Sequence, residues 1–245
     1  MDHPHERRAA ARTAVVWDAL QPVLAGLAGD AGEQAVLDIG GGTGGFAVRV
    51  AELGHQVTVI DPSPDALAAA DRRAHERGVA DRITGRQGDL ADLGTLAGAG
   101  SADLVLCHGV LGIVGDPAAA LATIGEVLRP GGRLSLLVGQ RHAAVLARAM
   151  AGHLGQALEL LRHDQPGTDT AGNERRFTTG EITALLDGAG YTVEGVHAVR
   201  VFADLVPAAL LEAEPGTALV ELERAVADRP EYHALAAQLH LLARH

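Results

Sequence analysis

At 245 residues, with 47% hydrophobic but only 2% aromatic residues, the chain has material for one large core built from Leu, Val, Ile and Ala. Its net charge is −11 and every basic residue is an arginine, which speaks against a general nucleic-acid binder, since such proteins gain affinity by neutralising phosphates. No run reaches the ~20 apolar residues of a membrane span, Met1 to Arg12 lacks the apolar stretch of a secretory signal, and the single Cys107 excludes an internal disulfide, so a cytoplasmic location is expected.

In chain order, Ala9 to Leu27 has Val15, Val16, Leu20, Val23, Leu24 and Leu27 at helical spacing, ended by Gly29 to Gly32. Trp17 is read there as a core or lid residue, and Arg12, on pattern alone, as solvated. Ala35 to Ile39 is a first strand. The segment Val36-Leu-Asp-Ile-Gly-Gly-Gly-Thr-Gly-Gly45 then breaks into glycines before a helix-like run from Phe46 to Leu53. Strand, glycine turn and helix in that order bring bare backbone up to a nucleotide-like ligand. Gly40, Gly42 and Gly45 also satisfy G-x-G-x-x-G, so the motif by itself does not separate a dinucleotide from another nucleoside cofactor.

A βα alternation follows. Gln56 to Ile60 is a second strand closed by Asp61-Pro62, and Ser63 with Pro64 starts a helix that runs to about Arg77, stopped by Gly78. Ile83 to Gln87 is a third strand ending in Gly88-Asp89-Leu90, and Ala102 to Cys107 is a fourth ending at His108. Asp116-Pro117 opens a helix to Leu128. Arg129-Pro-Gly-Gly132 then turns into a fifth strand, Arg133 to Val138. This pattern implies a mostly parallel sheet with helices on both faces, whose ligands bind at the strands' carboxyl ends. Asp61, Asp89 and His108 all fall there.

From Gly139 to Phe177 the pattern changes to one helical piece, Ala143 to Leu161, and a polar stretch, Arg162 to Arg176, together read as a lid-like insertion in a single domain. A helix capped by Thr179 runs to Gly190, Thr192 to Phe202 alternates as a strand, Thr217 to Ala227 is helical, and Tyr232 to Ala243 is read as the closing seventh strand, with a helix fitting its pattern nearly as well.

Several residues suit chemistry at the carboxyl ends. Asp61 lies about 20 residues past the first glycine, where a carboxylate takes both hydroxyls of a ribose. A strand-end position outside the core predicts that Asp61→Ala weakens ligand binding with little loss of fold. Asp38 is placed to brace the glycine turn or to orient a cationic ligand group. Asp89 suits an adenine amine, with Leu90 against the ring. His108 is a histidine beside the site with no nucleophile triad near it in sequence. The twelve histidines show no metal-ligand spacing (His3 and His5 are terminal, while His240 and His245 are separated and lack Cys or acidic partners), so no metal is expected.

These motifs together resemble the class I S-adenosylmethionine-dependent methyltransferases, over almost the whole chain: Val36 to Gly44, Asp61, Gly88 to Leu90, Asp103 to His108, and Leu128-Arg-Pro-Gly-Gly132. A narrower resemblance is to the bacterial tRNA 5-carboxymethoxyuridine methyltransferases, which esterify the carboxylate of a modified wobble uridine. It rests on Arg12 with Trp17, His108-Gly-Val-Leu before Asp116-Pro117, Val199 to Asp204, Glu221-Leu-Glu223, and His240-Leu-Leu-Ala-Arg244. The resemblance implies a Rossmann-like seven-stranded fold and S-adenosylmethionine as cofactor, leaving as S-adenosylhomocysteine. It implies cofactor contacts from Arg12, Gly40, Gly41, Asp61, Gly88 and His108; Asp38, Gly42, Asp89 and Leu90 join them from the reading above. Arg12 would meet the methionine carboxylate.

The chain departs from that subfamily at Gly112-Ile113 (an acidic-aromatic pair there), Gly139-Gln140 (Tyr-Asn), Ala237-Gln238 (Arg-Tyr), and in a lid without lysines, where Arg162, Arg175 and Arg176 are the basic residues. The expected reaction is in-line methyl transfer to an oxygen or nitrogen of tRNA or of a small molecule. A carboxylate acceptor needs no base, whereas for a hydroxyl or amine His108 is the base candidate. A nicotinamide oxidoreductase or a non-catalytic cofactor binder stands as the remaining alternative.

Overall fold

The computed structural model describes residues 4–27, 35–162, 174–207, 210 and 216–245; the glycine-containing stretch after Leu27 (28–34) and most of the polar stretch (163–173) lie outside them. Seven strands form one sheet in the order β3-β2-β1-β4-β5-β7-β6: β1 (Ala35–Ile39), β2 (Gln56–Asp61), β3 (Ile83–Gln87), β4 (Ala102–His108), β5 (Leu128–Gly139), β6 (Thr192–Val199) and β7 (Gln238–Arg244). β1 to β5 pair in parallel, and β7 runs antiparallel between β5 and β6. Strand order reverses between β1 and β4, which opens a crevice at their carboxyl ends.

Helices cover both faces. α1 (Pro4–Leu27), α2 (Gly45–Glu52) and α3 (Pro64–Glu76) lie on one, where Val16, Leu20, Leu24, Ala47 and Ala74 meet Leu104, Leu106 and Leu137. α4 (Leu93–Ala97), α5 (Pro117–Val127) and α8 (Thr179–Gly188) lie on the other, packing Leu93, Leu121, Ile124, Ile182 and Leu186 on Val105, Leu136 and Leu241. α6 (Arg141–Met150) and α7 (Leu154–Arg162) follow β5; α9 (Phe202–Leu205), α10 (Gly216–Val226) and α11 (Pro230–His233) complete the chain. With few aromatics, the layers are filled almost wholly by aliphatic side chains, apart from Phe177 and Tyr191.

Asp103 explains two of the sequence motifs at once. Its Oδ2 accepts the Ala35 backbone N–H (2.9 Å) and pairs with Arg129 (2.6 Å), so one carboxylate ties the starts of β1 and β4 to the turn that leads β5 back into the sheet.

Besides an α1 that starts at Pro4 rather than Ala9 and an α8 that ends at Gly188 rather than Gly190, several boundaries differ from the expected ones for reasons the structure shows. The helix of the inserted segment is two helices, α6 and α7, broken at Ala151 to His153. β5 begins at Leu128, five residues early, because Ala102 pairs with it there before a register shift. The cap of α8 is Thr178, whose hydroxyl accepts the Glu181 N–H while the Glu181 carboxylate accepts the Thr178 N–H; Thr179 is the first helical residue. β6 stops at Val199, because Arg200 takes a left-handed backbone (φ 61°) that no strand continues through. β7 starts only at Gln238, since Pro230 opens a short helix at the site where the alternation had suggested strand.

Glu181 also takes both prongs of its pairing with Arg141 through one guanidinium nitrogen (2.7 and 2.8 Å), so the α8 cap anchors the start of α6. Replacing Thr178 by Ala should lower the free energy of unfolding by about 1 kcal/mol, read as a lower urea midpoint at an unchanged slope, with cofactor affinity unaltered.

Candidate functional site

The carboxyl ends of β1 and β4, the start of α2 and the middle of α1 enclose a cleft of about 720 Å³ lined by Arg12, Asp38, Gly40, Gly41, Phe46 and His108, among others. Its floor is the glycine turn. A Cβ built on Gly41 would lie 2.6 Å from the Asp38 carboxyl carbon, so the turn and the Asp38 side chain occupy touching positions that only glycine allows. Asp61, from the neighbouring strand β2, holds the same turn from the side: its Oδ2 accepts the Gly42 N–H and its Oδ1 the Ser63 N–H, both at 2.9 Å.

Asp61 is therefore buried and structurally engaged, in contrast to the strand-end carboxylate outside the core that was expected. Asp61→Ala costs fold as well as any ligand contact, because two backbone donors lose their acceptor. Gly88 continues the rim, donating its N–H to the Asp61 carbonyl (3.3 Å). Beyond it Asp89 is exposed, with Oδ1 capping Ala91 (2.8 Å), and Leu90 is turned into the core.

The site's charged groups are short of partners. Asp38 is fully enclosed, and burial, then the Asp61 charge, push its carboxyl from 3.8 up to about 7, against a hydrogen bond from the Ala47 N–H and the attraction of Arg12. Arg12 is pulled below its usual value by burial and then by the charge of Arg200. Both Arg12 Nε and Arg200 Nε are buried and have no hydrogen-bond partner. Arg200 reaches this edge from the end of β6 and pairs with Asp204 (2.8 Å). The left-handed residue is held in place by Glu223, whose buried carboxylate accepts the N–H groups of Val201, Phe202 and Ala203 (2.9, 2.9 and 2.8 Å). Strain of this kind costs on the order of 1–3 kcal/mol and persists only where the surroundings over-determine it.

His108 has Phe46 edge-on at 4.9 Å, and burial, then Arg12, lower its imidazole to about 3. Its Nε2 meets Ser135 Oγ at 2.8 Å, while its Nδ1 is buried without a partner. Gln238 Oε1, at the same edge, is the fourth orphan, and His233 Nε2 is the other one among the described residues. An unpaired buried polar atom costs about 1–3 kcal/mol, so four at one edge describe a surface shaped for a polar ligand.

The segment returning to α8 roofs this edge. Arg175 donates its N–H to Gly112 O (2.7 Å) and Phe177 its N–H to Gly139 O (2.9 Å). A Cβ on Gly112 would meet Glu174 Cγ at 2.7 Å, and one on Gly139 would meet Arg176 Nη1 at 3.0 Å. Phe46, Ser135 and the Arg176–Gly139 contact were not foreseen. Phe46 carried a signal, as the first aromatic after the glycine turn in an aromatic-poor chain; Ser135 carried another, as a hydroxyl between Leu134 and Leu136 in a core strand.

A family model described as a methyltransferase domain matches residues 37–134, which span the turn, Asp61 and His108. The tRNA 5-carboxymethoxyuridine methyltransferase of Escherichia coli strain K12 is 32% identical over 235 residues, 95% of this chain and 87% of that protein. The chain belongs to the class I S-adenosylmethionine-dependent methyltransferases. Among solved structures, an S-adenosylmethionine-dependent methyltransferase from Mesorhizobium loti shares the fold (TM-score 0.58, 23% identity, 93% of this chain and 98% of that one). So does a Burkholderia thailandensis 1,6-didemethyltoxoflavin-N1-methyltransferase with bound S-adenosylhomocysteine (TM-score 0.54, 23% identity, 100% of this chain and 91% of that one). As a methyltransferase, the chain takes S-adenosylmethionine as its methyl donor, and the nicotinamide alternative falls away. The cleft suits that donor: an enclosed carboxyl and an orphan guanidinium stand where a zwitterion brings one charge of each sign.

The Asp38 shift has a definite sign. Its folded value lies above the unfolded one, so its contribution to stability is full below about pH 3.8 and is lost as pH rises through about 7. Asp38→Asn removes that loss. The variant should melt higher than wild type by at least about 3 °C at pH 8 and show little difference at pH 4, both read by differential scanning calorimetry without ligand.

Proposed function

We propose that this methyltransferase esterifies a carboxylate, and that its acceptor is the carboxylate of a 5-carboxymethoxyuridine-type nucleotide in tRNA. One observation carries the reading: Arg12 and Arg200 stand close enough for one charge to depress the other, each with a buried, unpartnered Nε. Two guanidiniums in one corner repel unless anions are to be shared between them. Asp204 already pairs with Arg200 through one guanidinium nitrogen (2.8 Å), and the methionine carboxylate and an acceptor carboxylate would supply the further anions. The similarity to the Escherichia coli tRNA enzyme, which extends over nearly the whole chain, supports the choice of acceptor.

In this reading Arg12 holds the methionine carboxylate and Asp38, ionised by the approach of a cation, faces the ammonium. The Gly40–Gly42 turn lies against the nucleoside. Asp61 uses the lone pairs left beside its two backbone contacts for the ribose, and Gly88 and Asp89 border the adenine; Leu90, turned into the core, does not meet the ring, contrary to expectation. S-adenosylmethionine supplies an electrophilic sulfonium methyl, which an ionised carboxylate takes by in-line displacement without a base. Arg200 and Arg176 position that carboxylate, and His108 takes no proton from it. The chain's contribution is alignment and exclusion of water, which supply much of such an acceleration. A tRNA substrate places the enzyme in the cytoplasm, consistent with the lack of any described helix long and apolar enough to cross a membrane.

A small carboxylic acid is the second reading. It is favoured by the net charge of −11 and by the exposed Met150, Leu154, Leu158 and Leu161 on α6 and α7, which offer an apolar rather than a phosphate-binding surface. Nucleoside mass spectrometry of tRNA from a deletion strain separates the two. Loss of the methyl ester at the wobble position supports the tRNA reading, and an unchanged profile removes it.

Arg200→Gln should lower kcat/KM for the acceptor by about 10- to 100-fold, the worth of one charged hydrogen bond, while the Kd of S-adenosylmethionine by calorimetry stays within about twofold. Weaker cofactor binding with an unaltered acceptor kcat/KM would assign Arg200 to the cofactor instead.

A further inference from the structure

Away from the cleft, a line of polar side chains crosses the sheet on the face covered by α1 and α2. His108 Nε2 on β4 meets Ser135 Oγ on β5 (2.8 Å), and Ser135 Oγ meets His240 Nε2 on β7 (2.8 Å). His240 Nδ1 meets His197 Nδ1 on the edge strand β6 (3.1 Å), and His197 Nε2 stands 3.5 Å from Asp228 Oδ1, whose side chain is 83% exposed. Ser135 and His240 have no exposed surface. Three inner strands and the edge strand β6 thus give up an apolar position to a hydrogen-bonded line from His108 to His197, and the transfer reading of the cleft uses only its first member.

Proton counting leaves two directions for the line, and the Asp228 carboxylate near its end selects one: an N–H facing it across 3.5 Å is favoured by charge, without a hydrogen bond. A neutral imidazole has one N–H and one bare nitrogen, and a serine hydroxyl donates one proton while accepting another. An exposed carboxylate is ionised and accepts only. His197 therefore presents Nε2–H to Asp228 and leaves its Nδ1 bare. That nitrogen takes the proton of His240 Nδ1–H, whose bare Nε2 takes the Ser135 hydroxyl proton. Ser135 Oγ in turn takes the proton of His108 Nε2–H. Every contact has one donor and one acceptor, and the last atom, His108 Nδ1, is left as a lone pair with no partner.

We propose that Ser135, His240, His197 and Asp228 are positioning residues that fix His108 in its Nε2–H form, so that its Nδ1 is presented at the cleft as a hydrogen-bond acceptor for an N–H or O–H group of the bound cofactor. Asp228, at the far edge of the sheet, sets a proton position at the methyl-transfer site. Burial outweighs the groups that would charge the line, Asp228 and the backbone of His240 at His197. Arg12 faces His108, and His108 and His197 face His240; all three oppose a further positive charge there. Asp228 and His233 face His197 from α10–α11. A protonated His108 would turn an N–H towards a cleft that must accept a sulfonium and an ammonium.

The inference rests on S-adenosylmethionine binding in this cleft and is independent of the acceptor. The test is two-bond ¹H–¹⁵N correlation spectroscopy of the full chain labelled at histidine, without acceptor, at pH 7.5, with each ring assigned through its own His→Gln variant. Wild type should show an alternating pattern: Nε2–H at His108, Nδ1–H at His240, Nε2–H at His197, all neutral. The reversed pattern, or a cationic ring among the three, would overturn the proposal. Asn at position 228 can donate as well as accept, so Asp228→Asn should populate Nδ1–H at His108 and weaken S-adenosylmethionine by about three- to tenfold at an unchanged melting temperature. A His108 spectrum and affinity unchanged in both Asp228→Asn and Ser135→Ala would also overturn it. A change in the tRNA profile bears on the acceptor alone, so failure of the carboxylate reading is recognised separately.

Discussion

The contact between the glycine turn and two carboxylates is the constraint on which the rest of this structure depends. Asp38 lies under Gly41 so closely that a methyl group at that residue would overlap it, and Asp61 holds the Gly42 N–H from the next strand. The two acids come from the neighbouring parallel strands β1 and β2, which fixes the turn relative to the sheet and not only to α2. Their proximity has an electrostatic consequence. With Asp61 anionic and both buried, Asp38 holds its proton to about pH 7 until a cation arrives. A ligand that carries an ammonium supplies that cation, so the same packing that shapes the turn also stores an affinity for the ligand's charge.

The departures from the tRNA-enzyme pattern are linked through packing. Gly112 and Gly139 stand where that subfamily has larger residues, and both are covered here by the segment Glu174 to Phe177. Adding a side chain at either glycine would collide with Glu174 or Arg176. Arg176 thus fills the space over Gly139, with its Nη1 3.0 Å from where a Cβ would stand. Where one loop lacks polar and aromatic residues, an arginine comes in from another, in a lid that carries no lysine.

Most of the fold was legible because it is local. Alternating apolar runs, Ser63-Pro64, Asp116-Pro117 and the glycine turn each act over a few residues, and parallel βα units leave little freedom in how these join. That Arg12, Asp38, Gly40, Gly41 and His108 line one cleft was legible for the same reason, since they lie on elements whose order dictates where they meet. The departures came where long-range contacts decide. Arg200 ends β6 early because Glu223, on a later helix, collects the three N–H groups that follow it. Thr178 caps in place of Thr179 because Glu181 must also reach Arg141, 40 residues away.

The histidine line shows the same limit more sharply. His240 invites comparison with metal ligands as long as its neighbours in sequence are considered, and it lacks them. The antiparallel insertion of β7 between β5 and β6 puts it beside Ser135, 105 residues away, and His197, 43 residues away. What sequence does display is the cost: a serine between leucines in β5 and a histidine between leucines in β7, each a polar group in a strand with both faces covered. Burying such groups is unfavourable unless each is satisfied. Ser135, His240 and His197 satisfy one another link by link, and the only unpaired atom of the line falls at the cleft. A line serving stability alone would close on itself; this one stays open at the atom of His108 that lines the cleft.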